Sequence, residues 1–255
     1  MPVANLDYVD RALELVEQAK AEKIALRILG SLAYRLHCPE NLQLFEEMKR
    51  DLTDVDFAAR GDQRKAVRAF LEALGYQIDQ DLLVATEGAR YFFSDPDSGM
   101  GIDMFFDELF FCHQIPLRDR LELDDPTIPL ADLVLEKTQI VEINAKDIKD
   151  SVVLLLEHPL ESGQREAIDA QYIATLLSND WGFYYTVTTN LGKLRSLGRE
   201  YGTLSESEWG IVDARISELE QMIEEEPKTR RWKLRARIGP RVKWYQEVAE
   251  KTTTY

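Results

Sequence analysis

The first half of the chain alternates between helix-like and strand-like patterns of apolar residues. Apolar side chains repeat with a helical period over residues 5–20, which predicts an amphipathic first helix. Short apolar runs bounded by turn residues predict buried strands at residues 24–29, 55–59, 76–78, 90–93 and 101–106. The turn residues 94–99 join the last two runs, so these two strands are expected to form a hairpin.

Helices are predicted between these strands and throughout the second half of the chain. Residues 32–37 form one, with Ser31 placed to cap it, and residues 62–74 form another that ends at Gly75. Beyond residue 126 the predicted helices cover residues 130–143, 146–157, 164–177, 180–197 and 205–225. We therefore expect an α+β protein, with a small mixed or antiparallel sheet flanked by helices in residues 1–125 and an all-helical region in residues 126–255.

Composition narrows the class of protein. An apolar content of 45% and a charged content of 30% are typical of a folded globular chain. No apolar run approaches the roughly 20 residues that span a bilayer, and the N-terminus has no secretory pattern. Two cysteines form no disulfide framework, so we expect reduced thiols, a cytoplasmic location and no membrane partner. The net charge of −15 disfavours passive coating of nucleic acid, and no DNA partner is expected.

Three acidic positions follow a glycine-serine turn in an order that points to metal chemistry. Gly30 and Ser31 lie between a predicted strand and a predicted helix, where backbone N–H groups bind phosphate. Asp54 and Asp56 are two residues apart on a strand and share a face, and Asp103 lies in a later apolar strand. Carboxylates on one face repel each other unless a cation such as Mg²⁺ lies between them. This arrangement predicts phosphoryl or nucleotidyl transfer.

The same motifs resemble those of the DNA-polymerase-β-like nucleotidyltransferase superfamily. Residues 133–139, which contain Lys137, and residues 144–150, which contain Asp147, are similar to the lysine and Lys-Asp-x-x-Asp motifs of its abortive-infection toxin type. The resemblance covers roughly residues 20–157. It identifies residues 1–125 as a nucleotidyltransferase catalytic core and the C-terminal helices as similar to those of uncharacterised bacterial members.

The resemblance implies a role for each matching residue. Gly30 and Ser31 would bind the triphosphate of an NTP, and Lys137 would meet a phosphate. The residues that would hold two Mg²⁺ ions are Asp54, Asp56 and Asp103. Asp147 would orient or deprotonate the acceptor, and Asp103 is the alternative acceptor of that proton, directly or through water. Asp54 follows Ser31 by 23 residues, further than in the family pattern. The insert at residues 38–51 is expected to add a helix over the site.

Each assignment has a competing structural interpretation. Lys137 lies on an otherwise apolar helix face, where a lysine often extends its ammonium to solvent. Asp147 and Asp150 suit the first turn of a helix. Asp107 shares strand parity with Asp103, although a solvated strand edge is the favoured interpretation for it. Two adjacent Cys/His pairs allow a zinc site, which their spacing disfavours; they are His37 with Cys38, and Cys112 with His113.

The segment of residues 228–243 holds eight basic residues and no acidic one. It includes Trp232, and Trp244 follows it. One interpretation is a final helix whose arginines pair with the acidic run of residues 224–226 and with the acidic body of the protein. The other is a surface that contacts the triphosphate, an RNA acceptor such as tRNA, or another acidic partner.

The function predicted from the sequence is a Mg²⁺-dependent nucleotidyltransferase that binds ATP or another NTP. It would move NMP to a hydroxyl of a small molecule, an RNA end or a protein. A toxin-like enzyme that modifies tRNA ends is a narrower version of this hypothesis. The alternative from another class is a catalytically silent regulator that binds nucleotide or RNA on the same scaffold.

Overall fold

A computed structural model describes residues 5–50, 52, 54–201 and 203–247, and the following architecture is that of this part of the chain. The strands of the main sheet are β1 (Leu26–Leu29), β2 (Val55–Ala59), β3 (Gln77–Ile78), β4 (Arg90–Ser94) and β5 (Gly101–Phe106). The helices of this half are α1 (Asn5–Ala21), α2 (Gly30–His37), α3 (Leu42–Glu47), α4 (Arg64–Ala73) and α5 (Gln80–Ala85).

The main sheet is mixed, and its strands run in the order β1-β2-β5-β4-β3. β2 and β5 are parallel neighbours, whereas the other pairings are antiparallel, including the predicted β4–β5 hairpin. Ile28, Phe57 and Met104 align across β1, β2 and β5 and are fully buried, so they form the core on one face. Because side chains alternate along each strand, Asp56 and Asp103 lie on the other face.

The second half begins with a small hairpin and continues as helices. The hairpin consists of β6 (Glu108–Phe110) and β7 (Gln114–Pro116). The helices are α6 (Leu130–Thr138), α7 (Ala145–Glu157), α8 (Ala170–Leu177), α9 (Trp181–Leu197), α10 (Glu206–Glu225) and α11 (Arg230–Ile238). The predicted α+β class, with a small mixed sheet followed by a helical C-terminal region, is confirmed. In the described part of the chain, no helix combines the length and apolarity needed to cross a bilayer.

Two of the predicted helices were too long. α6 ends at Thr138 because the side-chain amide of Asn190 donates to the carbonyls of Thr138 and Ile140, 2.8 Å from each. α8 begins only at Ala170 because the Asp169 side chain accepts the N–H of Tyr172 and caps it there. Apolar periodicity alone does not detect such capping side chains.

The two halves of the chain share hydrogen bonds at the edge of the main sheet. The N–H of Ile28 donates to the carbonyl of Pro126 at 2.9 Å, and the N–H of Ile128 donates to the carbonyl of Ile28 at 3.0 Å. The segment that follows residue 125 therefore extends the sheet beside β1. The division into domains at residue 125 stays a prediction.

Candidate functional site

Two of the predicted aspartates are direct neighbours across the centre of the sheet. Asp56 on β2 is in register with Asp103 on the parallel strand β5. Asp54 precedes β2 by one residue, two positions before Asp56, and therefore points to the same side of the sheet. Asp103 is buried, whereas Asp54 and Asp56 are half-buried. The sheet thus brings these three carboxylates to one face at its centre.

The glycine-serine turn lies directly against this acidic pair. Gly30 has a φ of +69°, and a Cβ placed on it would lie 2.1 Å from Oδ2 of Asp56. The helix α2 begins at Gly30 with Leu29 at its cap position, and no side chain caps it there. The expectation that Ser31 caps α2 is therefore wrong, since Ser31 lies inside the first turn. Only glycine leaves room for the Asp56 carboxylate at this point.

Gly30→Ala is expected to lower the melting temperature more than Gly99→Ala does. Gly99 has a similar φ of +75° with nothing within 4 Å of an added Cβ, so its variant measures backbone strain alone. That strain is worth about 1–2 kcal/mol, and the Gly30 variant adds a clash with Asp56. Thermal unfolding of both variants gives the comparison. Equal losses of melting temperature would show that Gly30 and Asp56 are not in contact.

Helix α6, from the second half of the chain, lies against the glycine turn. The N–H of Gly30 donates to Oε2 of Glu136 at 3.1 Å, so α6 reaches the glycine turn. The next residue, Lys137, lies within 4 Å of three carboxylates: 3.3 Å from Glu136, 3.6 Å from Asp147 and 3.9 Å from Asp150. Lys137 therefore does not extend to solvent. Burial lowers its pKa, but these carboxylates outweigh burial and raise the pKa above its usual value.

The two acids of the Lys-Asp-x-x-Asp motif have different environments. Asp147 completes a capping box with Asn144 at the start of α7, as the structural interpretation expected, and it still faces Lys137. Asp150 is fully buried. It accepts hydrogen bonds from Nε and Nη2 of Arg50, at 2.9 and 3.0 Å. It is therefore an internal ion-pair partner and not a first-turn cap.

The insert at residues 38–51 adds the predicted helix, α3, and this helix packs against α7. Lys149 donates to the carbonyl of Met48 at 2.7 Å, and Arg50 pairs with Asp150, so the end of the insert is bound to α7. The insert does not displace the glycine turn, because Gly30 remains in contact with Asp56.

The carboxylates around Asp56 oppose its ionisation. Burial raises the pKa of Asp56 well above its usual range, and the negative charges of Asp54, Asp103 and Glu136 raise it further, while Lys137 lowers it. Acidic side chains outnumber basic ones around the glycine turn. In the described part of the chain, the basic side chains that contact these acids are Arg50, Arg90 and Lys137, and the six acids are Asp54, Asp56, Asp103, Glu136, Asp147 and Asp150. A group of hard oxygen donors with excess negative charge is suited to a divalent cation.

A cavity of about 460 Å³ opens beside Lys137. Glu136, Lys137 and Asp147 form its polar wall, and Phe111 contributes to the apolar wall. Tyr245 from the C-terminal segment also lines it. This segment is held in place by the indole N–H of Trp244, which donates to the hydroxyl of Thr186 at 3.0 Å. The cavity is large enough for a small ligand, and Lys137 and Asp147 line it.

Asp107, the alternative to Asp103 as a site residue, has structural contacts instead. Asp107 has a φ of +62° and accepts the N–H of Gly61 at 2.8 Å and a bond from Arg118 at 3.1 Å. It therefore holds a turn at the end of β5. This supports the interpretation that favoured Asp103 over Asp107.

The four Cys and His residues considered for zinc are not brought together. Among the described residues, the group of three or more side chains with metal-ligating atoms within 4.8 Å of one another is His37, His158 and Glu166. Both ring nitrogens of His158 face backbone carbonyls, which only accept hydrogen bonds. His113 instead stacks on Phe183 and bonds to Thr186. These contacts are structural.

The basic segment forms α11, which lies on the surface without buried residues. Across the described residues, no salt bridge joins α11 to the acidic run of residues 224–226. Lys228 instead donates to backbone carbonyls at the end of α10, and Arg235 stacks on Trp181. In the described part of the chain, the interpretation that the arginines of α11 pair with residues 224–226 is therefore not supported.

Three charged residues of the site were missed by the sequence analysis. Arg90 binds Asp103 with two hydrogen bonds, Glu136 accepts the Gly30 N–H, and Arg50 pairs with Asp150. The signal for Arg90 was its position in the predicted hairpin, on the same face as Asp103. The available signal for Glu136 was that it is an acidic residue within an apolar helical run. No local pattern pairs Arg50 with Asp150.

Comparisons with known proteins add little to this geometry. No family model matches the chain, and no curated protein matches it. Among solved structures, the chain is similar to the solution structure of the antibiotic-resistance factor ANT(2'')-Ia, with 12% identity and a TM-score of 0.41. The similarity covers 59% of this chain and 83% of that chain. With so low a similarity, the assignment of function depends on the geometry of the site.

Proposed function

We propose that the protein is a Mg²⁺-dependent nucleotidyltransferase that moves NMP from an NTP to an acceptor hydroxyl and releases pyrophosphate. The observation that carries this proposal is the position of Gly30 directly over Asp56, with Asp54 beside it. A glycine turn and two neighbouring carboxylates thus lie close together, which supports the proposal that they bind phosphate and a metal ion.

The carboxylate pair fits a divalent cation. Asp54 and Asp56 offer hard oxygen donors. Burial and, after it, the neighbouring negative charges raise the pKa of Asp56, and a bound cation would offset both effects. Mg²⁺ held there would neutralise phosphate charge and polarise the phosphorus that is attacked. Because the surrounding site is itself acidic, a triphosphate is expected to enter only as its metal complex.

The triphosphate would bind at the start of α2. The Gly30 N–H is held by Glu136, which leaves the other first-turn N–H groups and the Ser31 hydroxyl as donors. Lys137 would contact a phosphate from the opposite side of the turn. Its ammonium is already shared among three carboxylates, so it supplies orientation more than net attraction.

Asp147 is one of the carboxylates that line the cavity, and the acceptor is proposed to bind there. In the proposed reaction Asp147 takes the proton of the acceptor hydroxyl, and the hydroxyl oxygen attacks the α-phosphorus. The bond from the α-phosphorus to the bridging oxygen breaks, and pyrophosphate leaves with that oxygen. The acceptor is proposed to be a small molecule, a protein hydroxyl or an RNA end, as in toxin-like modification of tRNA. The exposed arginines of α11 offer contacts to a polyanionic acceptor.

The silent regulator remains the second candidate, because two groups of the site are already bound by other side chains. Glu136 holds the Gly30 N–H, and Arg90 holds Asp103. If turnover requires Asp103 as a metal ligand, a protein with these contacts would bind nucleotide without turnover.

A labelled-transfer assay distinguishes the two candidates. The purified protein is incubated with each α-labelled NTP, Mg²⁺ or Mn²⁺, and a panel of tRNA, short RNA and small polyhydroxylated molecules. Label transfer with release of pyrophosphate supports the enzyme. Metal-dependent NTP binding by calorimetry without pyrophosphate release on any acceptor supports the regulator. Absence of NTP binding with either metal contradicts both.

A further inference from the structure

Arg90 binds the buried carboxylate of Asp103 as a two-pronged pair. Its Nε lies 2.6 Å from Oδ1 and its Nη2 lies 2.5 Å from Oδ2, so each oxygen of Asp103 has a guanidinium donor. Asp103 is only 2% exposed. This parallel geometry is the strongest form of ion pair that an arginine makes with a carboxylate.

The pair is built into the hairpin. Phe92 of β4 is in register with Asp103 of β5, so Arg90, two residues before Phe92, lies on the same face. Its guanidinium rests over the ring of Phe105 at 5.0 Å, and its carbonyl accepts the hydroxyl of Thr86 at 3.0 Å. The aromatic ring therefore packs against the guanidinium, and the hydrogen bond from Thr86 fixes the backbone of Arg90.

Asp103 is bound by this cation and does not form a close ligand cluster with the other two aspartates. Among the described residues, Asp54, Asp56 and Asp103 do not form a group with ligating oxygens within 4.8 Å of one another, whereas His37, His158 and Glu166 do. Burial lowers the pKa of Arg90, but the hydrogen bonds and charge of Asp103 raise it, with smaller contributions from the charges of Asp56 and Asp54. The guanidinium therefore lies within the field of all three aspartates. A divalent cation on Asp103 would have to approach this fixed positive charge.

We propose that Arg90 is the permanent counter-cation of Asp103, so that the site takes one divalent cation, on Asp54 and Asp56, and no second ion on Asp103. The proposal rests on the proposed function for its metal, but it concerns the number of ions and not the reaction. The guanidinium supplies the positive charge that a second ion would bring, and it stays in the site when no nucleotide is bound. Asp147 is then left as the carboxylate that accepts the acceptor's proton.

The test is a titration of the purified protein with Mn²⁺ alone, followed by electron paramagnetic resonance of the free ion. Wild type is expected to bind one Mn²⁺ per chain at this site. Asp103→Asn is expected to bind one Mn²⁺ with the affinity of wild type, because Asp103 is not a ligand. Arg90→Gln removes the guanidinium and is expected to bind a second Mn²⁺.

Arg118→Gln is the matched control, since Arg118 also bridges carboxylates, those of Asp62 and Asp107, away from the site. It is expected to bind one Mn²⁺. If Arg90→Gln is unstable without metal, Arg90→Lys keeps the charge and is expected to remain at one ion. Thermal unfolding with and without Mn²⁺ then gives a second readout, with a larger Mn²⁺-induced rise in melting temperature for Arg90→Gln than for wild type.

Two Mn²⁺ ions on wild type, or a tenfold or greater loss of affinity in Asp103→Asn, would overturn the one-ion proposal and leave nucleotidyl transfer standing. One Mn²⁺ on a protein that transfers no label would keep the proposal and contradict the proposed function. Absence of Mn²⁺ binding to wild type would overturn the proposal.

Discussion

Asp56→Asn is expected to reduce nucleotidyl transfer by at least about 100-fold, because stabilisation by a bound metal is worth several kcal/mol and each 1.4 kcal/mol is tenfold in rate. The same substitution is expected to raise the melting temperature in metal-free buffer at neutral pH. Burial and the neighbouring carboxylates raise the pKa of Asp56, so its ionised form is unfavourable in the folded protein. The asparagine removes this repulsion, and activity and stability change in opposite directions.

The pH dependence gives a further check on this explanation. A carboxyl with a raised folded pKa contributes stability below its unfolded pKa and loses that contribution as pH rises through the folded pKa. The difference in melting temperature between Asp56→Asn and wild type should therefore shrink on acidification. Asp97→Asn, on an exposed loop, is the control with the same chemical change. An Asp56→Asn protein with wild-type transfer, or with a lower melting temperature, would contradict the assignment.

Asp150→Leu is expected to destabilise the protein by about 3–5 kcal/mol, because it leaves the buried guanidinium of Arg50 without its carboxylate. The paired replacement Arg50→Met with Asp150→Leu is expected to recover most of this loss. Burial raises the pKa of Asp150, and Lys137 and Arg50 lower it without cancelling the rise. The cost of desolvating this carboxylate is therefore larger than the stabilisation of its charge by these two cations. Two apolar side chains of similar volume avoid that cost.

Denaturant unfolding of the two single variants and the double variant measures this coupling. The control is Glu72→Gln, which breaks the exposed pair of Arg68 and Glu72 on α4 and is expected to cost less than about 1 kcal/mol. A double variant as unstable as Asp150→Leu would show that the ion pair itself stabilises the fold. Near-wild-type stability of both single variants would show that Arg50 and Asp150 are not buried together.

Much of the local architecture follows from short-range patterns. The turn residues 94–99 give the β4–β5 hairpin, and the spacing of Asp54 and Asp56 places both on one face, because strand side chains alternate. Asp180 and Ser205 cap α9 and α10 at the predicted starts of these helices. Each of these features depends on residues within a few positions of one another.

The helix ends and the small elements were less predictable. α5 and the β6–β7 hairpin lie where no helix or strand was expected, in short segments whose apolar residues are too few for a clear period. α6 is shortened by Asn190, which lies on another helix. These features depend on tertiary contacts that act on weak local preferences.

By itself, the sequence determined that a glycine turn, an aspartate pair and a third aspartate lie on elements of one α+β fold. The tertiary structure decided which charge neutralises each carboxylate. Arg90 binds Asp103, Arg50 binds Asp150, and Glu136 takes the Gly30 N–H. Periodicity specifies the face on which a residue lies, but strand order, register and helix packing specify its partner, since ionic contacts at about 3 Å join residues far apart in the chain.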